Sequence, residues 1–140
     1  MAAVYGPRPP WHDVQLEVRL DTPLHRERHA TPSTIARTSF RHQYWTPAQM
    51  VAQHTVGGCD LQPGDLLGTG TISGPTASEA GALVELSKGG REPVTLAGTG
   101  EQRGFLHDGD TVILRGWCER PGAARIGFGD CRGTVLPALG

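Results

Sequence analysis

Three hydroxyl side chains, Thr69, Thr71 and Ser73, alternate through GDLLGTGTISGP (64–75), and one carboxylate, Glu85, interrupts the apolar run ALVELS (82–87). Alternating hydroxyls on an extended segment share one face, where they can hydrogen-bond a small ligand while glycines let the backbone approach it. The same pattern also suits a glycine-rich corner of a barrel or roll. A phosphate cradle is excluded, because the stretch lacks the lysine of a P-loop and runs into Pro75 instead of opening a helix. Read as a strand, ALVELS puts Glu85 on the face opposite Val84 and Leu86. A buried carboxylate there could orient a histidine and stabilise its imidazolium. Periodicity alone favours an ordinary solvent-facing glutamate on an amphipathic strand.

Other reactive groups carry weaker signals. His25 and His29 are four residues apart, but PLHRERHATPS (23–33) has no apolar periodicity and reads as a solvated hairpin or loop, which disfavours a metal role. His54 sits in the last turn of an expected helix and reads as a helix-end histidine favoured by the dipole when protonated. Asp108, Asp110 and Asp130 adjoin glycines and read as turn carboxylates. Cys59, Cys118 and Cys131 are odd in number and contain no CxxC pair, so they read as buried or half-buried thiols and not as a disulfide framework or zinc site.

The elements that must position these groups are mostly strands. With 20 glycines and 11 prolines in 140 residues, the composition favours short strands and tight turns. VQLEVRLDT alternates Val14, Leu16, Val18 and Leu20 with polar residues, predicting a strand with one buried face. A helix is predicted near 46–56 in TPAQMVAQHTVGG: Thr46 caps it, Pro47 takes the first helical position, and Gly57 ends it in a left-handed conformation. Met50, Val51 and Val56 would cover one side, with Tyr44 and Trp45 packing at its start. After a turn at Pro63–Gly64 and a short strand in 65–74, ALVELS, EPVTLAG, DTVILRGW, ARIGFG and RGTVLP read as successive strands. The opening YGPRPPWHD reads as extended. The result is one α+β, mostly β unit spanning 1–140.

The net charge of −1 and the scattered basic residues argue against a nucleic-acid footprint. No apolar run is long enough to span a membrane, and the start lacks a signal peptide, so a soluble cytoplasmic chain is expected.

SFRHQYWTPAQMVAQHTVGGCDLQPGDLLGTGTISGP, with LVELS, FLHDGDTVILRGWC and RIGFGDCRGTVLPAL following in order, resembles the C-terminal part of the fumarylacetoacetase family, within the wider fumarylacetoacetate hydrolase superfamily. The resemblance covers nearly the whole chain from Pro7. It implies a mixed β-sandwich roll and a homodimer, and a C–C bond hydrolase that cleaves fumarylacetoacetate to fumarate and acetoacetate in tyrosine and phenylalanine catabolism. It also implies a Mg²⁺ or Ca²⁺ cofactor. By motif, Thr71 in GTISGP falls on the substrate-binding threonine. Glu85 in LVELS, fourteen positions on, falls on the glutamate that pairs with a water-activating histidine.

The family's metal-binding carboxylates, catalytic histidine and basic residues fall upstream of the matched segment. The resemblance therefore places no metal ligand in this chain, and the expected unit is incomplete and inactive alone. Neither His54 nor His107 sits in the family's catalytic motif. The family's HHxVNGC reads QHTVGGC here, with Gln53 and Gly57 substituted, and its MYWT reads QYWT at Gln43. Alternatives are another superfamily enzyme, a β-diketone hydrolase, decarboxylase or isomerase, and a non-catalytic remnant.

Overall fold

The structure, a computed structural model, describes residues 13–139. Residues 5–12 of the opening that reads as extended lie outside them. Strand β1 (Val14–Asp21) is followed by a one-turn helix α1 (Pro23–Glu27) and strand β2 (Ser33–Ser39). Helix α2 (Pro47–Val56) and the short α3 (Leu83–Leu86) come next. The two-residue strands β3 (Val94–Thr95) and β4 (Gln102–Arg103) precede the long strands β5 (Thr111–Cys118) and β6 (Ile126–Thr134). β2, β1, β5 and β6 form an antiparallel sheet in that order, and β3 pairs with β4 separately. The described chain is thus mostly β with helical additions, as the composition predicts.

Local chemistry explains the elements that the sequence reading anticipates. At α2, Thr46 Oγ1 accepts from Gln49 N–H at 2.8 Å and Gln49 Oε1 accepts from Thr46 N–H at 2.9 Å, a capping box that satisfies two otherwise orphaned donors. Its other end differs from expectation. Gly57 keeps a right-handed φ of −72°, and the left-handed residue is Gly58 at +85°. The Pro63–Gly64 turn forms as expected, with Gly64 at φ +104°.

Several expectations are corrected. PLHRERHATPS contains α1, because Thr22 caps it and Pro23 suits its first turn. His25 is fully buried, while His29 is exposed with φ +52°. ALVELS is helical at 83–86: Glu85 and Leu86 N–H both donate to Ala82 C=O, and Ser87 N–H donates to Leu83 C=O. The 65–74 stretch forms no strand, and ARIGFG and RGTVLP merge into the single strand β6. Asp130 lies within that strand and not in a turn. Cys59 and Cys131 are exposed and Cys118 is half-buried. No residue of α2 is buried, and Tyr44 and Trp45 make an edge-to-face pair at 4.8 Å while remaining exposed.

The sheet has two chemically different faces. Leu16 and Val18 of β1 stand opposite Gly116 and Leu114 of β5, and Val18 opposite Ala36 of β2, on an apolar face. On the other face the cross-strand register sets Arg37, Glu17, Arg115 and Asp130 in a row of alternating sign across all four strands. Glu17, 3% exposed, receives Arg19 at 2.6 Å and Arg37 at 2.6 Å. Burial pushes its carboxyl up, but the hydrogen bonds from Arg37 and Arg19 outweigh that and hold it below the usual range. Arg115 clasps Asp130 through two bonds of 2.6 and 2.9 Å, and Arg132 adds a third. Those bonds, Arg115 first, hold Asp130 at about 2. A single buried face on β1 is therefore only half the account, because Glu17 is buried on the other.

Only Leu20, Ala36, Leu96 and Ile113 are buried apolar residues among those described. Polar groups fill much of the remaining interior. Arg103, on β4, binds Asp110 Oδ2 through Nε at 2.8 Å and Oδ1 through Nη2 at 3.1 Å, and reaches Glu101 at 2.9 Å. Thr22 Oγ1 donates to the other oxygen of Glu101, so the pairs join α1 to the β3–β4 hairpin and the start of β5.

Candidate functional site

The segment Gly68–Ile72 runs between two cavities. Gly70, Thr71 and Ile72 face the apolar side of the sheet across a space of about 340 Å³ that also touches Leu16, Val18 and Leu114. Gly68 and Thr69 face α2 across a larger space of about 570 Å³ lined by Trp45, Gln49, Gln53 and His54. His54 is thus an exposed helix-end residue on a cavity wall.

What fixes this segment is its contact with residues 79–85. Ser73 Oγ donates to Glu85 Oε2 at 2.6 Å and accepts from Gly81 N–H at 3.0 Å. Gly74 N–H donates to Glu79 C=O at 3.0 Å. A Cβ on Gly81 would come within 2.8 Å of Ile72 backbone oxygen, so the close approach requires glycine there. Glu79 in turn accepts from Thr76 Oγ1 at 2.7 Å and Thr76 N–H at 3.1 Å, and its other oxygen lies 3.5 Å from His42 Nε2. Those Thr76 bonds hold its carboxyl below the usual range.

Thr71 and Glu85 therefore belong to two segments clasped by Ser73, and both side chains are exposed. Glu85 Oε1 has no hydrogen-bond partner among the described residues and can accept one from outside. Thr69, Thr71 and Ser73 do not line one face as a strand would. Thr69 turns its hydroxyl to Gly70 C=O at 3.0 Å, and Ser73 serves the clasp.

One arrangement mimics a nucleophile and its base: Ser33 Oγ lies 2.9 Å from His25 Nε2. Ser33 donates to Ala97 C=O at 2.7 Å, and both residues are buried, so the pair braces β2 against the 97–101 turn and is closed to substrate. Sequence reasoning misses this network because its partners lie up to 79 positions apart. The charge row is different: the Glu17-x-Arg19 alternation in β1 carries a readable sign of it.

Among the described residues, no three His, Cys, Asp or Glu side chains converge as metal ligands. These described residues do not by themselves make a Mg²⁺ or Ca²⁺ site. Among the same residues, no helix is long and apolar enough to cross a membrane.

Comparison with known proteins bears on the same segments. Residues 4–136 match the family described as fumarylacetoacetate (FAA) hydrolase C-terminal. The chain is 47% identical over 123 residues to the fumarylacetoacetase of Homo sapiens, covering 88% of this chain and 29% of that protein. It is 49% identical over 123 residues to that of Bos taurus, with the same coverage. Against that of Caenorhabditis elegans it is 46% identical, covering 96% of this chain and 33% of the relative. The chain thus spans about a third or less of the length of the curated relatives it matches. With the match running through both clasped segments and the whole sheet, the chain belongs to the fumarylacetoacetate hydrolase C-terminal family.

Proposed function

We propose that this chain supplies the Thr71 and Glu85 side of the active site of a fumarylacetoacetase, which cleaves the C–C bond of fumarylacetoacetate with water. The observation that carries the reading is the Ser73 bridge, which ties the Thr71 segment to Glu85 and leaves one carboxylate oxygen open. In the reaction, water's oxygen bonds to the carbonyl carbon being cleaved, and the C–C bond electrons leave on the acetoacetate carbon, which takes a proton. Fumarate and acetoacetate result. Thr71 would donate its hydroxyl proton to a substrate carbonyl or carboxylate at the cavity wall. Glu85 Oε1 would accept the N–H of an imidazole, fixing its tautomer so that the opposite nitrogen removes the water proton.

That imidazole, the groups that stabilise the leaving carbanion and the ligands of the Mg²⁺ or Ca²⁺ implied by the resemblance would come from polypeptide outside this chain. Residues 1–140 would then be one unit of a larger site. The finer reading is of a cytoplasmic homodimer acting in tyrosine and phenylalanine catabolism.

The test is a full-length relative whose matched region is replaced by residues 13–139 of this chain, assayed for fumarylacetoacetate hydrolysis. The chimaera is expected to turn over, and Glu85→Gln within it to lose kcat by about 10²-fold or more while KM changes little. Near-normal kcat in Glu85→Gln would remove the assigned role.

A further inference from the structure

His25 is the one fully buried histidine among the described residues, and it plays no part in the reaction proposed for Thr71 and Glu85. Both of its ring nitrogens face polar atoms, and those atoms fix how many hydrogens the ring must carry. On one side, Nε2 lies 3.1 Å from Ala97 C=O and 2.9 Å from Ser33 Oγ. Ser33 gives its own hydroxyl hydrogen to the same carbonyl at 2.7 Å. A carbonyl only accepts, so Nε2 carries a hydrogen.

The other side is one hydrogen short. Thr22 Oγ1 sits 2.8 Å from His25 Nδ1 and donates to Glu101 Oε2 at 2.5 Å. A threonine hydroxyl has one hydrogen and an ionised carboxylate has none, whereas two contacts need two. With a bare Nδ1, the 2.8 Å contact sets one lone pair against another, and both residues are too deeply buried for water to relieve it. A hydrogen on Nδ1 completes the row, from Nδ1–H to Oγ1 and from Oγ1–H to Oε2. It gives up the bond from Thr22 N–H to Nδ1, which at 3.2 Å is the longest of the four contacts on the ring. The bond gained has a charged donor and is roughly twice as strong as a neutral one.

Charge balance points the same way. Burial pushes the Glu101 carboxyl up, but the hydrogen bonds from Thr22 and Arg103 outweigh that and hold it ionised. The interior beside His25 thus holds two carboxylates, Glu101 and Asp110, against one guanidinium, Arg103. Arg103 serves both oxygens of Asp110 and Oε1 of Glu101, which leaves the oxygen bonded by Thr22 without a cation. Of the charged groups on α1 itself, Glu27, Arg28 and His29 are exposed, and Arg26 is bound to Asp21 and to Gly109 C=O. β2 meets the ring with the neutral Ser33.

We propose that His25 carries a hydrogen on both ring nitrogens in the folded chain at neutral pH, and is the cation of an ion pair with Glu101 that runs through the Thr22 hydroxyl. One proton then fastens α1 to the 97–101 turn. With it, each contact along the row is a hydrogen bond; without it, one is a meeting of lone pairs. This proton-sensitive joint does not rest on the assignment of Thr71 or Glu85.

The experiment uses the whole 140-residue chain, labelled with heavy nitrogen. Two-dimensional NMR at about pH 7 reads the state of each ring nitrogen, with His25 assigned through its contacts to Ser33 and Ala97. His25 is expected to show two protonated ring nitrogens, whereas the chain unfolded in urea shows the mostly neutral histidine pattern. Thr22→Val removes the hydroxyl and Glu101→Gln removes the charge, and each should take the hydrogen off Nδ1 while leaving the one on Nε2. Thr22→Ser keeps the row and should keep both hydrogens. If circular dichroism shows Thr22→Val to be unfolded through loss of the α1 cap, Glu101→Gln, which leaves that cap in place, carries the test. A bare Nδ1 in the unsubstituted chain, or two protonated nitrogens that persist in Glu101→Gln, overturns the proposal.

Discussion

Asp110→Asn removes one charge from the interior and changes almost no volume, so its cost reports on the Arg103 network alone. Asp110 is fully buried and Arg103 is 7% exposed. Asp110 Oδ2 accepts both Arg103 Nε and His107 N–H, at 2.8 and 2.9 Å, while Oδ1 accepts Arg103 Nη2 at 3.1 Å. The best placement of an asparagine keeps its single oxygen at the doubly bonded site and turns its NH₂ toward Nη2, a donor against a donor. One charge-assisted bond worth about 1.5–3 kcal/mol is lost, and the guanidinium keeps only Glu101, itself partly solvated, as a counter-charge. The total should be about 3 kcal/mol, the lower end for a broken buried pair. For a chain of this length that lowers Tm by about 10 °C in calorimetry or a circular-dichroism melt. Asp108→Asn is the control: Asp108 is exposed and makes no side-chain hydrogen bond among the described residues, so its change should stay within about 0.5 kcal/mol. Equal melting of the two variants would refute the claim that the two aspartates, alike as turn residues in the sequence, differ in kind.

Acid should unfold the chain in a defined window. Glu17, Glu101 and Asp130 are all held below their ordinary carboxyl values, Glu17 and Glu101 by hydrogen bonds that outweigh burial and Asp130 by Arg115 and Arg132. Protons therefore bind the unfolded chain more readily. The stabilisation is complete above the unfolded carboxyl range near about 4.5 and is lost as pH falls through the folded values, Asp130 contributing down to about 2. A Tm flat between pH 7 and 3 would contradict this. Gly81→Ala should push its new Cβ against the Ile72 backbone, costing about 1–3 kcal/mol and speeding amide hydrogen exchange of Gly74 and Gly81, whose N–H groups are bonded in the clasp. Unchanged exchange at those two amides would show that the clasp does not depend on that approach.

Legibility followed the range of the interactions. Helix α2 could be read because its start is local: Thr46 and Pro47 carry the signal in adjacent residues, and the structure adds Gln49 to the cap. β1 could be read from alternation and β5 from its β-prone run between turns, although neither says anything about Glu17, which pairs with Arg37 twenty positions away on β2. ALVELS fits a strand as well as a helix in sequence, because four apolar-rich residues suit either period. Tertiary contact decides it: Ser87 is fully buried and its Oγ donates to Gly104 C=O at 2.8 Å, which turns the chain just after α3. His25 reads as a solvated loop residue in sequence because Ser33, Ala97 and Thr22, the groups that pair with it, come together only in the fold.

The helical state of 83–86 changes the argument for Glu85 itself. On a strand, its role would have required burial on a sheet face, with an ionised carboxylate desolvated at a cost that only a partner could offset. On a one-turn helix it is exposed, and what orients it is a single neutral donor, Ser73 Oγ, itself fixed by Gly81 N–H. A carboxylate steadied by a hydroxyl keeps its full charge for the group it meets next, whereas one paired with an arginine, like Glu17 or Asp130, has that charge already neutralised. Across the clasp from the Thr71 segment, Glu79 is taken up by Thr76 and His42, while Glu85 keeps one oxygen open among the described residues.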